Sequence, residues 1–192
     1  MALDLEKQYL FYGAYHHNPV NIAIHIICVP VIMFCIFLWV ASAGPLFFVP
    51  ELLDFKCFPP NAASIAGFSY ASLYVVLEPI AGILLAPLLL GGTALVNYLN
   101  NSYGSAAVYW SLWIQAGAWI FQIVGHAIFE RRSPAFVDNV VQALFLAPLF
   151  VWLEILFSFG YRPNLKARLD KAVNAELARL NSIKKSSNIK AM

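Results

Sequence analysis

The stretch HHNPVNIAIHIICVPVIMFCIFLWVA, His16–Ala41, decides the fold. From Val20 to Ala41 it is apolar but for Asn21, His25 and Pro30, and a helix needs about 20 such residues to cross a hydrocarbon core of roughly 30 Å. Its surroundings are as bare of charge. No Asp, Glu, Lys or Arg occurs from Gln8 to Pro50, and between Cys57 and Phe129 there is only Glu78. Of 192 residues, 61% are hydrophobic and 11% charged, whereas a soluble domain is about 45–50% apolar and about a quarter charged. That excludes disorder, a nucleic-acid-binding surface and an ordinary soluble enzyme, and leaves an integral membrane protein.

Outward from this run, 108–129 and 139–160 are also long enough to span. The region 62–97 is too long for one span and slightly short for two, and Glu78-Pro79 divides it, because proline disfavours helix in the residue before it and suits a first helical turn. The expected architecture is an all-α polytopic membrane bundle, spans near 20–41, 62–77, 80–97, 108–129 and 139–160, in one domain over 1–161. Lipid requires backbone groups to be satisfied internally, and the alternation of a membrane barrel is absent from the sequence. The acidic start (Asp4, Glu6, Lys7) does not read as a cleaved leader, so the first run is expected to stay as a span. Cys28, Cys35 and Cys57 fit no zinc spacing and read as small hydrophobes.

Charge orients the bundle. From Arg162 onward the chain holds eight Lys/Arg against Asp170 and Glu176, which favours the cytoplasmic side, as do Arg131 and Arg132 after the fourth span. One further full crossing would put these basic elements on opposite sides. Pro148 resolves this if 139–160 bends and returns, giving four full spans plus a re-entrant element; a fifth span is the competitor. The loop with Asn100-Asn101-Ser102 is then lumenal. The tail, 162–192, repeats Leu165, Leu169, Val173 and Leu177, a basic amphipathic helix that lies on an anionic leaflet or packs on the bundle; past Ser182 it is expected to be disordered.

The four histidines fall in two clusters, His16, His17 and His25 around the first span and His126 near the end of the fourth. Ionisable groups at membrane depth mark functional sites. Asn18-Pro19 reads as helix cap and first turn; Asn21 and His25 share a face, as do Gln122, His126 and Glu130. With 62–97 split, both clusters reach one membrane face. Imidazoles with few carboxylates suit iron, copper or zinc and not calcium or magnesium. Asn21, Gln122, Glu130 and Asp138 are candidates to orient the rings. Arg131 and Arg132 form a fork for a carboxylate or serve as plain anchors. Bis-histidine haem fits adjacent surface His16-His17 poorly, and a di-iron desaturase needs more histidines. A transporter or lipid-binding scaffold with structural histidines stays open as the alternative.

Phe11-Tyr12, Tyr15-His16-His17-Asn18-Pro19, Asn21, His25 and Val29-Pro30, with Phe121-Gln122, Gly125-His126, Phe129-Glu130-Arg131-Arg132, Pro134 and Asp138-Asn139, resemble the 2-hydroxy fatty acid dioxygenases of fungal α-oxidation. The likeness runs from Leu5 to Lys171. It implies an endoplasmic-reticulum membrane enzyme that uses iron(II) and O2 to shorten a long-chain 2-hydroxy fatty acid by one carbon, releasing carbon dioxide. It further implies His16, His17, His25 and His126 as the candidate catalytic iron ligands. Oligomeric state is left open.

Overall fold

The computed structural model describes residues 4–50, 55–130 and 144–190. Among them there are helices and no strand. Helix α1 (Leu5–Tyr15) is capped by Asp4, whose carboxylate accepts from Lys7 N–H. Helix α2 (Pro19–Ala41) starts as the sequence predicts, with Pro19 in the first turn and the Asn18 side chain accepting from Val20 N–H. Helix α3 (Ala62–Leu77) ends because Pro79 holds Glu78 extended, at φ −147° and ψ 97°. Glu78 then caps α4 (Pro79–Tyr103) by accepting from Ala81 N–H at 2.7 Å. One residue thus ends one helix and begins the next, which is how the division at Glu78-Pro79 is realised.

Gly104, at φ +50°, turns α4 directly into α5 (Ser105–Gly125), and this left-handed backbone is the kind that glycine adopts without penalty. Asn100-Asn101-Ser102 accordingly lies in the last turn of α4 and not in a loop, and Asn100 Nδ2 donates to the Ala41 carbonyl at 3.4 Å. Helix α5 continues as a single π-helical turn over His126–Glu130. Helices α6 (Ala147–Ser158) and α7 (Pro163–Lys190) complete the chain.

Among the described residues, three helices are long and apolar enough to cross a membrane: α2, α4 and α5 with its extension, Ser105–Glu130. Helices α3 and α6, at 16 and 12 residues, are shorter. Helices α2 to α5 alternate in direction. At one end Ala41 meets Asn100, Asn61 meets Asn97, and Trp39 Nε1 donates to Ser111 Oγ at 2.7 Å. At the other end lie the start of α2, the Glu78 turn and the end of α5.

Of the segment 139–160, the residues before Leu144 lie outside those described, and Pro148 follows a turn at Leu146. It sits in the first turn of α6, where a missing N–H costs nothing. Helix α6 wedges its fully buried Leu149, Phe150 and Leu153 into the bundle. The hydroxyls of Tyr70 and Tyr74 cap the segment before it, donating to the carbonyls of Leu144 and Phe145 at 3.1 and 2.8 Å. Its far end returns to the Glu78 turn, where Tyr161 and Arg162 both donate to the Glu78 carboxylate. The tail departs from one expectation and meets another. Its helix continues past Ser182 to Lys190, and the stripe Leu165, Leu169 and Val173 is buried. Val173 lies against Gly13 of α1, and Arg168 pairs with Glu6 at 2.6 Å. Of the two readings of that stripe, packing on the bundle is the one seen at these positions.

Candidate metal centre

Three imidazoles converge from three helices. His16 caps the C-terminus of α1, His25 lies one and a half turns into α2, and His126 opens the π-turn of α5. Their ring centroids are 4.4, 4.7 and 4.8 Å apart, with planes crossing at 72–81°. Each ring offers one nitrogen within 4.8 Å of the others, and all three residues are buried. The extra residue that a π-turn inserts re-aims side chains, and such turns recur at functional sites.

The tautomers follow from the hydrogen bonds. His16 Nδ1 donates to the Tyr12 carbonyl at 3.0 Å, and His25 Nδ1 donates to the Asn21 carbonyl at 2.8 Å. A carbonyl only accepts, so in both rings Nδ1 carries the proton and the Nε2 lone pair is left for a ligand. Ring-orienting bonds of this kind accompany metal-binding histidines. Burial, then proximity to His25 and His126, holds His16 well below the usual histidine range and keeps it neutral. The nitrogen of His126 at Nδ1 is buried and has no partner. Three neutral nitrogen donors around one point, one with an orphaned nitrogen, fit a transition-metal ion.

Glu130 ties the site together. Its buried carboxylate accepts through Oε1 from His17 N–H at 3.0 Å, Asn18 N–H at 2.9 Å and Asn21 Nδ2 at 3.1 Å. Its Oε2 lies 2.7 Å from His17 Nδ1. The end of α5 is thereby fastened to the α1–α2 junction that sets His16. His17 stands outside the three-ring group, half exposed and facing Glu130. Asn21 is fully buried, and a Cβ built on Gly125 would come within 2.6 Å of its Oδ1, so α2 and α5 meet closely beside the rings. Gln122 is buried with Nε2 unpartnered. Arg131, Arg132 and Asp138 lie outside the described residues.

Tyr12 lies in the run Phe11-Tyr12 that carries the family resemblance, but the sequence alone gave it no role at the site. Its ring stacks on His16 at 4.3 Å and 12°. Burial first, then Glu154 and Glu130, keeps its phenol protonated. The available signal was its position, four residues before His16 on the same helix face.

Fold and centre together define an all-helical protein, with helices long and apolar enough to span a membrane, that carries a buried three-histidine metal-type site at one end of the bundle. The chain belongs to the family described as 2-hydroxy-palmitic acid dioxygenase Mpo1-like, whose model matches residues 2–159. It is 36% identical over 169 residues to the Saccharomyces cerevisiae 2-hydroxy-palmitic acid dioxygenase MPO1, covering 88% of each chain. No solved structure matches.

Proposed function

We propose that this chain is an iron(II)-dependent 2-hydroxy fatty acid dioxygenase of the endoplasmic-reticulum membrane. It converts a long-chain 2-hydroxy fatty acid and O2 to the acid one carbon shorter and carbon dioxide, with water closing the atom balance. The carrying observation is the meeting of three buried imidazoles, His16, His25 and His126, in a chain whose yeast relative is named for this chemistry. Ferrous iron, when bound there, would supply the redox and Lewis-acid chemistry that the reaction of the hydroxy acid with O2 needs.

The chain's own groups do the rest. His16, His25 and His126 would hold the ion, with the lone pairs of His16 and His25 turned inward by the bonds of their Nδ1 to the carbonyls of Tyr12 and Asn21. His17 serves the site through Glu130, since its Nδ1 is committed there; joining as a fourth ligand would require it to leave that carboxylate. Asn21, Gln122, Glu130 and Asp138 orient the ligands. Arg131 or Arg132 receives the substrate carboxylate, as a fork matches that planar anion. Orientation of the hydroxy-acid head supplies much of the rate, and the acyl chain stays in the bilayer.

In this reading α2, α3, α4 and α5 make four crossings and α6 is the returning element. The alternating directions and the return of Tyr161 and Arg162 to the Glu78 turn support it. The ends bearing the histidines and the basic tail then face the cytoplasm. A transporter or scaffold with structural histidines is not favoured. Metal analysis of detergent-purified protein, paired with turnover of 2-hydroxypalmitate with and without ferrous iron, tests the proposal. Iron-dependent release of the C15 acid is expected, and turnover indifferent to iron and to chelators contradicts it.

A further inference from the structure

Among the described residues, the buried side-chain polar atoms without a hydrogen-bond partner are Tyr12 Oη, Asn21 Oδ1, Gln122 Nε2, His126 Nδ1 and Glu130 Oε2. Every one belongs to the histidine centre. Buried polar groups are normally satisfied, so a concentration of orphans in one place points to a ligand that belongs there. Two of the five have other neighbours: Glu130 Oε2 faces His17 Nδ1, and Asn21 Oδ1 looks onto Gly125.

Tyr12 is the informative orphan. Its hydroxyl is its one side-chain polar atom, and phenylalanine would fill the same space without burying it. The hydroxyl has no hydrogen-bond partner, and the Glu154 and Glu130 carboxylates act on it only electrostatically. Phe150 packs on the ring at 5.1 Å, and Tyr9, at 5.6 Å, commits its own hydroxyl to Glu154. The stack on His16 keeps the phenol alongside the imidazole.

We infer that the Tyr12 hydroxyl donates a hydrogen bond to an oxygen of the 2-hydroxy acid's head group when the acid occupies the histidine centre. This rests on the function proposed above. Tyr12 is then a substrate-contacting residue, and its donor suits an oxygen-rich, anionic head.

The test compares iron-loaded wild type and Tyr12→Phe in detergent, without O2, for affinity toward 2-hydroxypalmitate. The variant is expected to bind about tenfold more weakly, the scale of one lost hydrogen bond to a charged acceptor. Its iron content should equal the wild type's. Its melting temperature without acid should be equal or higher, because the hydroxyl removed has no partner in the empty site. Unchanged affinity at equal iron content overturns the inference and leaves the proposed function standing. Failure of the variant to fold, or loss of its iron, makes Tyr12 structural and also overturns the inference. Failure of iron-loaded wild type to bind the acid overturns the proposed function itself.

Discussion

Two buried polar clusters sit at opposite ends of the bundle, and they differ in how completely they are satisfied. At the end away from the histidines, Asn61 Nδ2 donates to Asn97 Oδ1 at 2.9 Å. Asn97 Nδ2 donates in turn to Ser64 Oγ and the Cys57 carbonyl at 3.1 and 3.0 Å, and Thr93 donates to the Leu89 carbonyl. That cluster is closed. The histidine end has more buried polar groups and leaves Tyr12, Gln122 and His126 with side-chain atoms that have no partner. A satisfied cluster holds helices in register; an unsatisfied one is built to hold something else.

The largest effect expected at the open cluster follows from removing a ring. His25→Ala or His126→Ala should lower turnover roughly a thousandfold or more, beyond the 10–100-fold typical of outer partners. Bound iron should be lost with it, while the protein stays in membranes, as metal analysis of the solubilised fraction would reveal. Glu130→Ala is next. It frees His17, Asn18 and Asn21 at once, and iron affinity should fall about 10–100-fold, measured by competition with a chelator.

The closed cluster should answer in the opposite currency. Asn97→Ala strips partners from Asn61 and Ser64 and should cost about 1–3 kcal/mol of stability. Iron affinity should not change, so thermal unfolding paired with metal titration separates the two ends. Gly125→Ala joins both quantities. The added methyl meets Asn21 Oδ1, and an overpacking cost of about 1–3 kcal/mol should come with weakened metal binding.

The smallest effect concerns pH. Burial alone would raise the Glu78 carboxyl, but donation from Ala81 N–H, Tyr161 and Arg162 outweighs it and holds the group below its usual 4.5. A depressed carboxyl stabilises the fold above its unfolded value and loses that contribution as pH falls through its folded value. Arg162→Ala should therefore be less stable than wild type near neutral pH. The gap should close below about 4.5, followed by denaturant melts across acidic buffers; a gap independent of pH would break the assignment.

What could be read from the sequence was what local chemistry dictates. Asn18-Pro19 and Glu78-Pro79 were legible because a cap and a ring-locked φ act on their immediate neighbours. The four-residue spacing of Asn21 with His25, and of Gln122 with His126 and Glu130, gave their common faces. The pairing of α2 with α5 followed from counting crossings. What stayed hidden depended on contacts between distant segments. Adjacent His16 and His17 are equivalent on paper, and they part because the backbone leaves α1 at His16 with φ −134° and ψ 82°. One ring turns inward while the other meets Glu130, 113 residues away. Pro148 was ambiguous because the same residue that kinks a helix can begin one. The tail's stripe was ambiguous because a leaflet and α1 offer it the same apolar surface.

X-ray absorption at the iron edge of the reconstituted protein tests the account most directly. Three imidazole nitrogens at about 2.1 Å are expected in wild type, falling to two in any iron that His126→Ala retains. Iron without imidazole scattering, or a coordination shell unchanged by loss of His126, would contradict it.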